Sequence, residues 1–251
     1  MRVLIVGFGR FPGVRDNPTA RLIWSLSDHR ARFARLGITI ASAVLPVEYQ
    51  GVLRELDKLA SALKPEIILL FGLAARRKAF IIEARAANRL STLRFDASRQ
   101  RAPRRAICPG GAHALQSTFP YRSIEAAYRH ARLPVQASVN AGDYICNEAL
   151  YFCLARGRAH AVGFIHVPGL ARSDRPKRDG RPDRPNFAAL MRAFVIAVEV
   201  TARHVRGKLA NCEPSLSIDD PYDRLTPNKT CQLIKPILQP VAGEGGEAAR
   251  Q

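Results

Sequence analysis

Apolar residues in this chain fall into two patterns, short nearly continuous runs and longer stretches in which they recur every three or four positions. The continuous runs predict strands from Arg2 to Val6, Ile38 to Val44, Glu66 to Gly72, Ile81 to Ala86, Val135 to Val139 and Ala161 to Val167. The longer period predicts helices from Pro18 to Leu36, Val52 to Leu63, Ser123 to Ala131, Ile145 to Arg156 and Asn186 to Arg206. Strands without polar alternation are buried on both faces, and their alternation with helices predicts an α/β protein with helices on both faces of a sheet. From Gly207 onward the period is lost among prolines and polar residues, ending in Gly243-Glu-Gly-Gly-Glu-Ala-Ala-Arg-Gln251. The expected organisation is one α/β domain over residues 1–206 and a loosely packed or disordered extension over 207–251.

One junction between the two patterns carries candidate chemistry. In Ser138-Val-Asn-Ala-Gly-Asp-Tyr-Ile-Cys-Asn147 an apolar strand gives way to an amphipathic helix, and Cys146 stands in the predicted first turn. The positive end of a helix favours a thiolate, the reactive form of cysteine. Ala141-Gly142 permits the sharp turn, and Asp143 or Asn140 is placed to cap the helix. Taken alone, a cysteine there is more often a small core residue. Two distant segments change that balance. Ala161-Val-Gly-Phe-Ile-His-Val-Pro168 brings His166 to a strand's end, where α/β proteins collect functional side chains. Ala79-Phe-Ile-Ile-Glu-Ala-Arg-Ala-Ala-Asn88 sets Glu83 in an apolar run, where a carboxylate needs a partner. A thiol, an imidazole to take its proton and an acid to orient the imidazole are the parts of a thiol hydrolase.

With these residues in place, the chain resembles the pyroglutamyl-peptidase I (pyrrolidone carboxyl peptidase) family of cysteine peptidases from about Arg2 to Val205. Four blocks in order carry the resemblance: Val6-Gly-Phe-Gly-Arg-Phe-Pro12 with Asn17-Pro-Thr19; Gly72-Leu-Ala-Ala-Arg-Arg77 leading to Glu83 and Asn88; Asn140 to Asn147; and Gly163-Phe-Ile-His-Val-Pro168. The resemblance implies a three-layer α/β/α sandwich with a mixed sheet. It implies Cys146 as nucleophile, His166 as general acid and base, and Glu83 as the residue that orients His166. Phe8 and Phe11 match the aromatic residues that hold the lactam ring, and Tyr144 and Ile145 match residues of the same pocket. Arg94 matches an arginine near the oxyanion if one residue is inserted in the preceding loop; otherwise it is one more exposed arginine. Phe8 and Phe11 also read, from the sequence alone, as core aromatics under a loop. The implied substrate is a peptide with an N-terminal pyroglutamate, and the implied reaction needs neither metal nor organic cofactor. Members of the family often form homo-oligomers, although no interface is legible in this chain. The chain departs from the family pattern at Gly9-Arg10, Leu73, Ala75-Arg76 and Ala84.

Composition adds limits and one competing reading. At 251 residues and 47% hydrophobic content, the chain is long enough to bury a sizeable core. It has no apolar run long enough to span a membrane, and the start of the chain lacks the pattern of a secretory signal. Its five cysteines include no C-x-x-C pair, which favours neither a disulfide framework nor a zinc site and predicts reduced thiols in a cytoplasm. Gly7 and Gly9 lack the third glycine of a dinucleotide fingerprint. His29, His113, His130, His160 and His204 sit among polar neighbours and are expected at the surface.

Thirty-nine basic residues against 21 acidic ones give a net charge of +18, enough to attract nucleic acid or anionic surfaces. The arginines are scattered, however, and the densest run, from Arg172 to Arg184, is interleaved with aspartates, which reads as a solvated loop beside the site. No specific nucleic-acid partner is therefore expected. The reading is a cysteine exopeptidase that removes N-terminal pyroglutamate. The alternatives are an inactive or substrate-shifted paralogue, or a basic binding protein.

Overall fold

The structure, a computed structural model, describes residues 1–171 and 184–211. Most of the charged run after Ala171, and the extension from Cys212 onward, lie outside the described residues. In chain order the elements are β1 (Arg2–Phe8), α1 (Pro18–Trp24), α2 (Arg30–Arg35), β2 (Thr39–Leu45), α3 (Tyr49–Leu63), β3 (Ile67–Ala74), β4 (Phe80–Glu83), β5 (Arg85–Ala87), β6 (Ala114–Gln116), α4 (Tyr121–His130), β7 (Val135–Ser138), α5 (Ile145–Arg156), β8 (Ala161–Pro168) and α6 (Phe187–Ala210).

Six strands form one sheet in the order β2-β1-β3-β8-β4-β7. β4 runs antiparallel to β8, parallel pairing holds elsewhere, and the sheet is mixed. Period-2 geometry sends successive side chains of the central strands to opposite faces. Val3, Ile5, Ile67 and Leu69 pack with residues of α1, α4 and α6, while Leu4, Val6, Ile68 and Leu70 pack with α3 and α5. These two apolar layers around a sheet buried on both sides make the three-layer α/β/α sandwich. Because β8 lies between β3 and β4, the short connection from Ala75 to Ala79 must span the carboxyl end of β8, two strand spacings or about 10 Å.

Several boundaries shift by one to three residues, and three differences from the sequence expectation have a local cause or consequence. The predicted helix from Pro18 to Leu36 is interrupted by a 3-10 segment at Ser25–His29. There Ser25 Oγ donates to the Arg21 carbonyl at 3.0 Å and Ser27 bonds to Asp28, local bonds that compete with a continuous helix. The predicted strand from Ile81 to Ala86 divides at Ala84, whose N–H turns to the Ser138 carbonyl while β5 pairs with β6 in a separate ribbon. α6 continues to Ala210, past the predicted limit at Arg206, and Gly207 does not break it. Two of the five histidines expected at the surface, His29 and His204, are partly buried rather than fully solvated.

Candidate active site

His166 lies two residues before the end of β8, in register with Gly72 of β3 on one side and Ile81 of β4 on the other. Glu83 sits one pleat further along β4, opposite Phe164, and therefore projects from the same face as His166. Its Oε1 is 2.8 Å from His166 Nδ1. A carboxylate can only accept, so His166 donates through Nδ1–H and turns Nε2 toward the cleft. Glu83 is 2% exposed, and its Oε2 has no hydrogen-bond partner among the described residues. That buried carboxylate found the partner its apolar surroundings require.

Cys146 occupies the first turn of α5 and faces the same cleft as His166, close enough to bear on its titration. Burial alone would depress the imidazole, but its interactions with Cys146 and Glu83 outweigh it and hold His166 up to about 9. The thiol has room because residue 72 is glycine. A Cβ at that position would come within 3.0 Å of Cys146 Sγ and 2.5 Å of Phe164 Cζ. The expected side-chain cap of α5 is absent. Asn140 Oδ1 instead accepts from Gly142 N, Asp143 reaches Arg94, and Tyr144 occupies the N-cap position in extended backbone. The first N–H groups of α5 therefore have no capping side chain.

Asn147, fully buried, secures the turn that carries Cys146. Its Oδ1 accepts from Ala87 N at 2.9 Å, and its Nδ2 donates to the carbonyls of Ala87 at 2.8 Å and Arg89 at 3.0 Å. Unpairing such buried backbone groups costs about 1 to 3 kcal/mol each, so this side chain ties the Cys146 turn to β5.

The cleft around these residues has a volume of about 600 Å³. Phe8, Phe11, Tyr144, Ile145 and Arg94 all line it, together with Cys146, His166 and Glu83. Phe8 is both wall and core, being 2% exposed with its ring 5.9 Å from that of Phe164. The loop bearing Phe8 and Phe11 is fixed by Asn17, which donates to the Gly9 carbonyl, and by Thr19 Oγ1, which accepts from Phe8 N at 3.0 Å. Arg94 stands at the rim with its side chain 60% exposed, 3.7 Å from Asp143 and over the Tyr144 ring. Its loop is pinned from beneath. Asp96 accepts from Ser98 N and Gln100 N, and the Tyr49 and Tyr144 hydroxyls donate to the Arg94 and Phe95 carbonyls. Burial pushes the Tyr144 phenol up to about 12, with Asp96 and Cys146 adding to the shift, so it remains a donor.

Of the other lining residues, Asn17 and Arg77 stand in the quoted blocks and Asp143 is a candidate cap, whereas Val47 and Phe95 are not marked by the sequence. Val47 follows the end of β2, where α/β proteins build sites, and Phe95 lies in the long segment between β5 and β6. Among the described residues, no group of three or more His, Cys, Asp or Glu side chains is placed to hold a metal ion.

Glu148, two residues past Cys146, is a buried carboxyl whose Oε2 has no partner among the described residues. Burial pushes it from the usual 4.5 up to about 8, with Asp96 adding and Arg104 opposing. The folded state therefore keeps a proton that the unfolded chain releases, and stability falls as pH rises between about 4.5 and 8. His166, raised to about 9, adds its own decline between 6.5 and 9. Glu148→Gln should remove the lower part of this dependence. At pH 8 the expected gain in Tm over the parent is about 3 to 8 °C. Parallel Tm-against-pH curves for parent and variant would show that Glu148 does not titrate in this way.

A thiol, an imidazole and a buried carboxylate converging in an aromatic-walled cleft of an α/β/α sandwich define a cysteine hydrolase. Residues 1–204 match the pyroglutamyl peptidase family, and the chain belongs to it. It is 31% identical over 204 residues to the pyrrolidone-carboxylate peptidase of Thermococcus onnurineus, covering 80% of this chain and 96% of that one. It is 33% identical over 209 residues to the corresponding protein of Deinococcus radiodurans, with 80% and 94% covered. The crystal structure of pyrrolidone carboxyl peptidase from Pyrococcus furiosus superposes with a TM-score of 0.73 at 28% identity, over 82% of this chain and all of that one.

Proposed function

We propose that this chain hydrolyses the bond after an N-terminal pyroglutamyl residue, with Cys146 as nucleophile, His166 as general acid and base, and Glu83 as the group that orients His166. The observation that carries this reading is His166 held between the Glu83 carboxylate, at 2.8 Å, and the Cys146 thiol inside one cleft.

The Cys146 thiolate attacks the carbonyl carbon of the pyroglutamyl residue, and its proton resides on His166. The N–H groups of the first turn of α5, left without a side-chain cap, stabilise the oxyanion. As the tetrahedral intermediate collapses, His166 gives its proton to the leaving nitrogen and the C–N bond breaks, leaving a thioester on Cys146. Water, deprotonated by the now neutral imidazole, attacks the thioester. The C–S bond breaks, pyroglutamate leaves, and the thiolate–imidazolium pair is restored. The chemistry requires no cofactor.

Phe8, Phe11, Tyr144 and Ile145 form the ring pocket in this reading. A lactam ring is flat and neutral, so aromatic faces hold it while backbone groups meet its N–H and C=O. An ordinary N-terminus would bring an ammonium into apolar surroundings, at a cost of several kcal/mol. Arg94, already tied to Asp143, borders the pocket from the rim.

No helix among the described residues is long and apolar enough to cross a membrane. Among the described residues, Cys108, Cys146 and Cys153 form no disulfide, which suits a reducing compartment such as the cytoplasm. The deciding experiment is release of the chromophore from a pyroglutamyl amide, compared with the same amide of proline and with and without a thiol alkylator. Turnover confined to the pyroglutamyl amide and abolished by the alkylator is the expected result. No turnover, together with steeply salt-dependent binding to DNA or RNA, would favour a basic binding protein instead.

A further inference from the structure

The charged groups lining the cleft are paired, with one exception. Glu83 is bound to His166 at 2.8 Å, and Asp143 stands 3.7 Å from Arg94. The exception, Arg77, has no acidic partner and no side-chain hydrogen bond among the described residues. It is an exposed guanidinium on the connection between β3 and β4.

The strand order assigns that guanidinium a side of the site. Phe8 and Phe11 enter from β1 and the loop after it, Cys146 Sγ rests beside Gly72 of β3, and His166 projects from β8. The ring pocket therefore lies toward β1. The proton that departs with the leaving amine comes from β8, so the leaving peptide extends that way. The Ala75 to Ala79 connection spans the end of β8 and brings Arg77 over that exit. The connection is fixed in place: Arg77 N donates to the Ala74 carbonyl at 2.8 Å, and Arg184 Nη1 donates to the Ala75 carbonyl at 2.7 Å. Arg184 thereby holds the connection that carries Arg77.

Resting on the proposed peptidase reading, we infer that Arg77 is a specificity-determining residue favouring substrates with a carboxylate on the leaving side of the scissile bond. The carboxylate is the side chain of an acidic first leaving residue or the terminal carboxylate of a short peptide. A neutral lactam ring has no use for an uncompensated guanidinium, whereas a carboxylate past the scissile bond does. An exposed pair of this kind is worth little in energy, so the selection is a preference, not an absolute requirement.

Two substrate pairs separate the sources: pyroglutamyl-glutamate amide against pyroglutamyl-glutamine amide, and pyroglutamyl-alanine against its C-terminal amide. At low ionic strength the acidic member of at least one pair should show a kcat/KM about fivefold higher, and the preference should shrink in high salt. Arg77→Gln should bring the favoured ratio to near one, and Arg77→Glu should invert it. Ratios near one for both pairs in the parent, or ratios that survive both substitutions, overturn the inference and leave the peptidase reading intact. If neither variant folds, the salt dependence of the parent's ratios decides, and a salt-independent ratio overturns the inference. No turnover of any of the four substrates overturns the peptidase reading itself, and the inference with it.

Discussion

Cys146→Ala is expected to lower kcat/KM for a pyroglutamyl amide by about four orders of magnitude or more, because no neighbouring group replaces a thiolate that forms and breaks a covalent bond. That loss corresponds to about 5.5 kcal/mol of transition-state stabilisation. Cys146→Ser, nearly isosteric, should be as inactive, because a hydroxyl in a site arranged for a thiolate ionises too weakly to attack. The other described cysteines provide the control. Cys153 is fully enclosed, and burial pushes its thiol up to about 12, so it neither attacks nor is alkylated at neutral pH. Cys108 is also buried and lines no part of the cleft. Cys108→Ala and Cys153→Ala should therefore retain most of the activity. Alkylation by iodoacetamide, followed by peptide mass spectrometry, should place the inactivating label on Cys146. A label on any other cysteine, tracking the loss of activity, would displace Cys146 as nucleophile.

How legible the site was depended on how local its determinants are. Cys146, His166 and Glu83 could be picked out singly because each breaks a local pattern: a thiol at a strand-to-helix junction, an imidazole at a strand's end, a carboxylate in an apolar run. Their convergence could not be read from those patterns. It depends on β8 inserting between β3 and β4, a long-range pairing that leaves no mark in the apolar period. Only the family resemblance supplied it. The capping of α5 was misjudged for a related reason. Asn140 and Asp143 are good caps by residue type, but one turns to Gly142 and the other to Arg94, a residue 49 positions away in a loop without periodicity. β6, three residues long, exists only as the partner of β5 and has too few positions to show alternation. Gly72 belonged to a recognised block, yet its contact with Cys146 Sγ emerges only when β3 and α5 are packed together.

The pair of His166 and Glu83 gives the second large effect and tests whether the two act as a unit. His166→Ala should abolish nearly all turnover, because in the proposed mechanism the imidazole takes the thiol proton, protonates the leaving amine and activates the water. Glu83→Gln should cost less, about 10²-fold to 10³-fold, since an amide oxygen can still accept from Nδ1–H but carries no charge to stabilise the imidazolium. Glu83 and Cys146 together hold His166 up to about 9. Removing the carboxylate therefore lowers the imidazole pKa, and the alkaline limb of the kcat/KM profile should move to lower pH in Glu83→Gln. This shift separates orientation and charge stabilisation from loss of fold, which would lower the rate without moving the limb. The double variant should be no worse than His166→Ala alone, because a carboxylate that acts only through the imidazole has nothing to act on once the imidazole is gone. Additive losses, or a Glu83→Gln variant with parental rate and pH profile, would make Glu83 a structural carboxylate. The orienting role would then pass to another group of the cleft, with Asp143 the first to test.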